Sequence, residues 1–271
     1  RAPFSIKDEV GIIEYALRET DLGRTVMIQA SCGYMLKPLI AALKEKFIPF
    51  AQPWRTNRRD WNPLDPSLGT AARMAAFLKP VRENEREPWN LRDVAKWVRE
   101  VRVSGVMRRG AKPVIVQLAE ASPDQVVTTS EIRDWFTDES VLDVMEARVD
   151  EAQAAEWFAA AQLPKARPIA QYAAGIVRHQ GEGALRETPR IYVGTIHSFK
   201  GAEADTTIIC PDLSKSAFTE YKSFGAPRDS IARLFYVALT RAIEKVVIMD
   251  KASGQCVPLR RVHTEMEGVA V

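Results

Sequence analysis

A run of polar and charged residues lies between two apolar runs in the last third of the chain. Residues 191–205 read IYVGTIHSFKGAEAD, and the apolar run TTIIC follows directly. This pattern is typical of a strand, a functional turn and a second strand, with ligand contacts at the strand ends. Gly201 lets a backbone N–H approach a phosphate closely, and His197 and Lys200 add donor or cationic groups. Glu203 is placed to accept hydrogen bonds from sugar hydroxyls, as acidic residues do in other nucleotide sites.

We expect Thr195 and His197 at the carboxyl end of the first strand, where it opens into a ligand crevice. Lys200 and Gly201 are expected to start the next element. The alternative is an ordinary turn between a strand and a helix, with Lys200 simply solvated. The segment alone does not distinguish the two interpretations.

A second candidate, Arg241, follows Thr240 near the end of a predicted helix over residues 229–243. On that helix, Leu234, Val237 and Ala238 are expected to face the core of the domain. An arginine at this place favourably meets the negative end of the helix dipole. The other interpretation is an arginine finger, which stabilises the charge that develops on a transferring γ-phosphoryl group.

The elements around these residues alternate between strand and helix at both ends of the chain. At the start, the pattern predicts a helix over 4–22 with Ser5 as N-cap, a strand over 25–30, a helix over 36–47 and a strand over 48–51. At the end, it predicts strands over 190–196, 206–211 and 245–249, a loop over 214–227 and the helix over 229–243. We therefore expect one α/β domain with a parallel sheet, built from residues 1–52 and 188–271.

Between these two parts, residues 53–187 are predicted to form a mostly α-helical inserted subdomain. Helices are expected at 67–78, at 91–103 with Asn90 as N-cap, at 131–136 with Ser130 as N-cap, at 139–161 in one or two pieces, and at 169–179. A strand is expected at 112–118. Residues 55–109 are rich in arginine and lysine, whereas residues 120–156 are acidic. This charge asymmetry is typical of a protein surface that binds the phosphate backbone of a nucleic acid. It is also typical of two solvent-exposed helical faces.

Composition limits the class of protein. The chain has 271 residues, of which 46% are hydrophobic and 27% charged, and its net charge is +3. No apolar run reaches the roughly 18 residues of a membrane span, so we expect no membrane partner. Cys32, Cys210 and Cys256 lie far apart in the sequence and are expected to be free thiols in a reducing cytoplasm, with no metal site.

Two partial motifs carry no weight. A phosphate loop of the form GxxxxGK[ST] occurs nowhere in the sequence. The run 246–250 resembles a strand that ends in a Mg²⁺-binding aspartate, Asp250, but a final core strand explains it better.

The two candidate segments resemble two motifs of one family. Residues 195–205 resemble motif V of the UvrD/Rep/PcrA-type superfamily 1 DNA helicases, and residues 233–242 resemble their motif VI. Their order and spacing match, and residues 25–50 are similar to the start of the family's second RecA-like domain. The resemblance fades between about residues 55 and 187. It implies a RecA-like α/β domain, of the P-loop NTPase fold but without its own P-loop, interrupted by a helical subdomain.

The resemblance also implies residue roles. Arg241 matches the motif VI arginine that reaches the γ-phosphate of ATP. Glu203 matches the motif V glutamate that contacts the ribose, with Gly201 on the phosphate side. Thr195 and His197 match positions that touch the backbone of single-stranded DNA.

Some positions depart from the family pattern. Arg55 and Arg58 lie near a position where the family makes another contact to the DNA strand, although the local sequence differs. Ala202 and Ala204 stand where the family usually has leucine and an aromatic residue, and residues 230–232 lack the usual charges. These departures affect the expected positioning of the ribose and of the motif VI helix.

The phosphate loop, the Mg²⁺-binding acidic motif and the adenine-stacking motif belong to the other RecA-like domain of this family, which is expected upstream of residue 1. The chain is thus expected to be the C-terminal half of an ATP- and Mg²⁺-dependent helicase. It would act on single-stranded or partly duplex DNA together with an N-terminal RecA-like domain. Two alternatives stay open: a non-catalytic nucleic-acid or protein-binding remnant of the fold, and the helicase half of a helicase–nuclease.

Overall fold

The computed structural model describes residues 4–52, 61–65, 69–79, 81–82 and 85–259. The chain divides into two compact units, one formed by Arg1–Asn62 with Pro189–Val271 and the other by Pro63–Thr188. Among the described residues, no helix is both long enough and apolar enough to cross a membrane.

The first unit begins with a helix, a strand and a helix. These are α1 (Glu9–Asp21), β1 (Val26–Ala30) and α2 (Lys37–Glu45). Helix α1 starts later than predicted, because Asp8 rather than Ser5 is its N-cap: the Asp8 carboxylate accepts a hydrogen bond from the Gly11 N–H at 3.0 Å. All five residues of β1 are buried, as expected for a strand covered on both faces.

The strand predicted at 48–51 does not form. Only Ala51 makes a bridge, to Tyr192. Pro49 has no N–H to donate, so a ladder cannot continue on the N-terminal side of Ala51. The prediction at this segment was therefore wrong.

The second unit is mostly helical among its described residues. Its elements are α3 (Thr70–Phe77), β2 (Val81–Arg82), β3 (Glu85–Arg86), α4 (Leu91–Trp97), α5 (Ala111–Ala121), α6 (Thr129–Trp135), α7 (Ser140–Met145), α8 (Glu151–Ala161) and α9 (Arg167–Gln180). Aromatic rings form the centre of its core. The ring centroid of Phe77 lies 5.3 Å from that of Trp89, 5.0 Å from that of Trp97 and 5.2 Å from that of Phe158, which are favourable aromatic separations.

Two predictions in the second unit were wrong. Residues 112–118 lie in helix α5, not in a strand; only Ala111 and Ile115 of that helix are buried, one helical turn apart. The N-cap of α6 is Thr128, whose side chain accepts from the Glu131 N–H at 3.3 Å, whereas Ser130 lies inside the helix.

The basic stretch of the second unit is partly neutralised within the unit. Arg73 is buried and pairs with the buried Glu100 at 2.5 Å, and Lys79 pairs with Asp93 at 2.9 Å. These cations therefore stabilise the unit rather than adding to an exposed basic surface.

The remaining elements complete the first unit. They are β4 (Ile191–Thr195), β5 (Ala204–Ile209), α10 (Lys215–Lys222), α11 (Ala226–Leu239) and β6 (Ala242–Ile248). Helix α10 occupies most of the segment predicted as a loop, with Ser214 as its N-cap. Helix α11 ends at Leu239, so Arg241 lies in the link to β6 and not within the helix as predicted.

The four long strands form one parallel sheet in the order β4-β1-β5-β6. This confirms the prediction of an α/β fold with a parallel sheet. Helix α11 packs on one face of the sheet through Ile231, Phe235 and Ala238, in a cluster that includes Ile196 and Ile209. Because all strands run in one direction, the sheet has a carboxyl edge, after Ala30, Thr195, Ile209 and Ile248, and an opposite amino edge.

Candidate functional site

The segment between β4 and β5 connects the two edges of the sheet. It starts with a 3₁₀ turn at Ile196–Phe199 and reaches β5 at Ala204. Phe199 and Ala202 are buried and pack with Met27 and Ala204 against the sheet. We call residues 196–203 the crossing segment.

The crossing segment separates the predicted site residues into two groups. Thr195 pairs with Ala30, whereas Thr206 pairs with Val26, a difference of about 13 Å along the strands. Glu203 lies still further from Thr195, since it precedes Thr206 by three residues. Thr195 and His197 therefore lie at the carboxyl edge and Glu203 at the amino edge, and they do not share one turn as the sequence suggested.

At the carboxyl edge, Thr195 is buried and His197 is exposed. Two residues that the sequence did not single out hold this turn. The Gln52 Nε2 donates to Ser198 Oγ at 2.8 Å, and Ser198 Oγ donates to the Thr195 carbonyl at 2.6 Å. A buried glutamine next to Ala51 leaves no sequence pattern that would reveal this role.

The same turn requires a glycine at position 194. A Cβ on Gly194 would lie 2.7 Å from Ser198 Oγ and 2.9 Å from Phe199 Cε2, and it would collide with Gln52 Nε2. We expect Gly194→Ala to lower the free energy of unfolding by about 1–3 kcal/mol, as overpacking of a core does. Urea denaturation would measure it. Gly254→Ala, where the added Cβ meets nothing within 4 Å, is the matched control, and equal losses in the two variants would contradict this account.

At the amino edge, Arg241 joins the end of α11 to the crossing segment. Its Nε donates to the Val237 carbonyl at 3.1 Å and its Nη1 donates to the Ala202 carbonyl at 3.2 Å. The Arg241 carbonyl in turn accepts from the Ala204 N–H at 3.0 Å. The guanidinium is thus held beside the backbone of Gly201 and Glu203.

Gly201 and Glu203 are both exposed next to this guanidinium. Gly201 has φ of +85°, and a Cβ there would meet nothing within 4 Å. Glycine is therefore needed for the backbone conformation and not for lack of space. The structure brings Gly201, Glu203 and Arg241 together, although 40 residues of sequence separate the first from the last.

A charged cluster under the amino edge was not predicted. The buried Glu19 of α1 accepts hydrogen bonds from Lys245 at 2.6 Å, from Thr206 at 2.8 Å and from Arg24 at 3.1 Å. Burial acts to raise the pKa of Glu19, but these hydrogen bonds outweigh it and lower the pKa to about 2. One signal was available: Glu19 continues the buried stripe of Ile12 and Ala16 at helical spacing.

The start of β5 is tied to β1 by a second carboxylate. Asp205 accepts from the Thr25 N–H at 2.7 Å and from Thr25 Oγ1 at 2.8 Å. These two hydrogen bonds lower the pKa of Asp205 below its ordinary value. Together with Glu19, Asp205 fixes the strand ends that carry Glu203 and Arg241.

At the carboxyl edge, the buried Asp212 orders the loop after β6. Its carboxylate accepts from the Ala252 N–H at 2.9 Å, from the Ser253 N–H at 2.8 Å and from Ser253 Oγ at 2.7 Å. Cys210 lies nearby, and burial raises the pKa of its thiol to about 12, so it stays protonated at neutral pH.

The cysteines are free in the structure. Among the residues that the structure describes, no group of three or more His, Cys, Asp or Glu side chains is arranged to hold a metal ion. Arg55 and Arg58, the other two residues predicted to contact DNA, lie outside the described residues.

No protein-family model matches the chain, and no curated protein matches it.

Proposed function

We propose that this chain is the C-terminal part of an ATP-dependent DNA helicase of the UvrD type. It would supply a second RecA-like domain, formed by residues 1–52 and 188–271, and the inserted helical subdomain. The observation that supports this most is the division of the site. Arg241, Gly201 and Glu203 meet at the amino edge, Thr195 and His197 lie at the carboxyl edge, and one short segment joins them.

The residues at the amino edge suit a nucleotide. Glu203 is an exposed acceptor for ribose hydroxyls, and Arg241 carries a planar cation whose position is fixed by the Val237 and Ala202 carbonyls. Bound ATP would supply the free energy of γ-phosphate hydrolysis. The described residues include no cluster for Mg²⁺, and the proposal assigns none of its ligands to this chain.

At the carboxyl edge, the proposal assigns the DNA backbone to the turn that carries Thr195 and His197, where His197 is exposed and Thr195 is buried. Arg55 and Arg58 are further candidates outside the described residues. An exposed imidazole can donate to a phosphate oxygen. Because the crossing segment is fixed at both ends, a change in how Arg241 and Glu203 are engaged is expected to alter the position of the Thr195 turn. That coupling is what a translocase requires. A cytoplasmic location belongs to the same proposal.

Complementation tests the proposed function. The chain alone should show no ATP hydrolysis, because its sequence has no phosphate loop. Mixed with the polypeptide encoded immediately upstream of Arg1, it should give ATP hydrolysis that single-stranded DNA stimulates. A steady-state phosphate-release assay measures both. Hydrolysis by the chain alone, or a mixture that stays inactive while the two parts bind each other, would contradict the helicase assignment; the second result would favour a non-catalytic remnant.

A further inference from the structure

An exposed aromatic ring lies in the turn between α10 and α11. Phe224 is 91% exposed, in a turn that Gly225 closes with φ of +75°. A single exposed apolar residue is common on protein surfaces. A phenyl ring this exposed is unusual because burying it would contribute about 2 kcal/mol.

Two cations close to Phe224 in the sequence each lie over an aromatic ring. The Lys222 ammonium lies 5.7 Å from the ring centroid of Phe218, and the Arg228 guanidinium lies 5.5 Å from that of Tyr221. Both distances are in the range of cation–π contacts. Phe218 and Tyr221 are half-buried against the core cluster of α11, so their rings form a fixed base for the two cations. We call Tyr221, Lys222, Phe224 and Arg228 the aromatic turn.

The charges of the two helices favour an anionic partner. Over residues 215–239 the basic side chains are Lys215, Lys222, Arg228 and Arg233, and the acidic ones are Glu220 and Asp229. The balance is four positive against two negative charges, and Lys222 and Arg228 flank the exposed ring directly. Over residues 215–225, Phe224 is the only large hydrophobic side chain that is exposed. The surface is therefore not a contiguous apolar patch of the kind that binds an apolar partner.

The aromatic turn lies at the carboxyl edge of the sheet. Helix α11 ends three residues before Ala242, which pairs with Ala204 at the amino edge. The helix has 14 residues, so it is about 21 Å long and returns across the whole sheet. Near its start, Ile231 packs in one cluster with Ile196 and Leu213, which follow the carboxyl ends of β4 and β5. The turn is thus at the same edge as Thr195 and His197.

We propose that the aromatic turn is a contact site for single-stranded nucleic acid, in which Phe224 stacks on a base and Lys222 and Arg228 contact the flanking phosphates. A freely exposed ring next to cations that are already held in place suits a strand of unpaired bases, since every base has a face to stack. The proposal rests on the proposed function, because that function places single-stranded DNA at the carboxyl edge of the sheet. It adds a binding site that the sequence motifs do not include.

Binding of a fluorescently labelled thymidine 15-mer to the 271-residue chain tests this. Fluorescence anisotropy at about 50 mM salt gives the dissociation constant. Phe224→Ala should weaken binding roughly tenfold, because stacking of one base contributes about 1–3 kcal/mol. Phe224→Tyr should bind like the original chain. Leu22→Ala is the matched control, since Leu22 is 69% exposed at the end of α1 and lies outside the aromatic turn, and the affinity of this variant should not change.

Salt dependence tests the two cations separately. The double variant Lys222→Ala, Arg228→Ala should lower the slope of log K against log salt by about 1.4, that is, about 0.7 for each lost phosphate contact to a single strand. An affinity of Phe224→Ala within twofold of the original chain would overturn the proposal. If His197→Ala then still weakened binding, the DNA contacts that the proposed function assigns to Thr195 and His197 would stand. Conversely, Phe224-dependent binding without ATP hydrolysis in the complementation assay would overturn the helicase assignment alone.

Discussion

Replacing Arg241 with alanine should lower DNA-stimulated ATP hydrolysis by about a thousandfold or more when the chain is complemented with its upstream partner. An arginine that stabilises charge on the transferring phosphoryl group typically contributes about 10³–10⁵ in kcat. Steady-state kcat at saturating DNA is the measurement. Arg241→Lys should restore little of the loss, because lysine keeps the charge but not the forked donor geometry.

A structural role of Arg241 gives a different pattern. The side chain also bonds the Val237 and Ala202 carbonyls, so its loss should lower stability by about 1 kcal/mol, as for other groups at helix ends. A purely structural residue would lower the melting temperature and leave kcat of the folded protein within a few fold. Arg18→Ala, at an exposed position of α1, is the control and should leave kcat unchanged. If kcat of Arg241→Ala stayed within tenfold, the arginine-finger assignment would be wrong.

Glu19→Gln should lower the free energy of unfolding by about 3 kcal/mol at pH 7. The pKa of Glu19 falls from 4.5 to about 2 on folding, and each unit corresponds to about 1.4 kcal/mol. Since the folded pKa is the lower one, this stabilisation is fully present above pH 4.5 and is lost as the pH falls towards 2. Urea denaturation at pH 7, 5 and 3 should therefore show a difference between the two proteins that shrinks below pH 4.5.

Glu244→Gln is the control for Glu19. Glu244 also pairs with Arg24, at 2.9 Å, but its side chain is 51% exposed, and exposed pairs contribute little. The loss for Glu244→Gln should be much smaller than that for Glu19→Gln at pH 7 and at pH 5. A Glu19→Gln difference that stays constant from pH 7 to pH 3 would show that packing, and not the charge of Glu19, causes the loss.

The strands of the sheet could be predicted because each is a short apolar run. The wrong predictions of secondary structure arose where one residue type or pattern is typical of two different structures. Ser214 and Pro227 were interpreted as loop residues, but they mark the first turns of α10 and α11. The run Val114-Ile115-Val116 has the composition of a strand, yet only Ile115 is buried, so tertiary contacts decide its conformation.

The residues of the candidate site could be proposed from their types, but their arrangement in space could not be predicted. The types of Gly201, Glu203 and Arg241 indicate a nucleotide contact, whereas their proximity follows from the pairing of β5 with β6. The distance of Thr195 from Glu203 depends in the same way on β4 and β5 lying on either side of β1. Strand order is a long-range property that no local pattern contains.

The crossing segment also has almost no spare length. Its ends are about 20 Å apart along the strands and two strands apart across the sheet, a straight distance of about 22 Å. The 3₁₀ turn at Ile196–Phe199 is followed by a second turn, in which the Ala202 N–H donates to the Phe199 carbonyl, and then by two residues before β5. Such a stretch can span at most about 22 Å. The connection is therefore nearly taut, so its number of residues is constrained as tightly as their identity. An inserted residue would introduce slack between the two edges, and a deleted one would pull the Thr195 turn out of place.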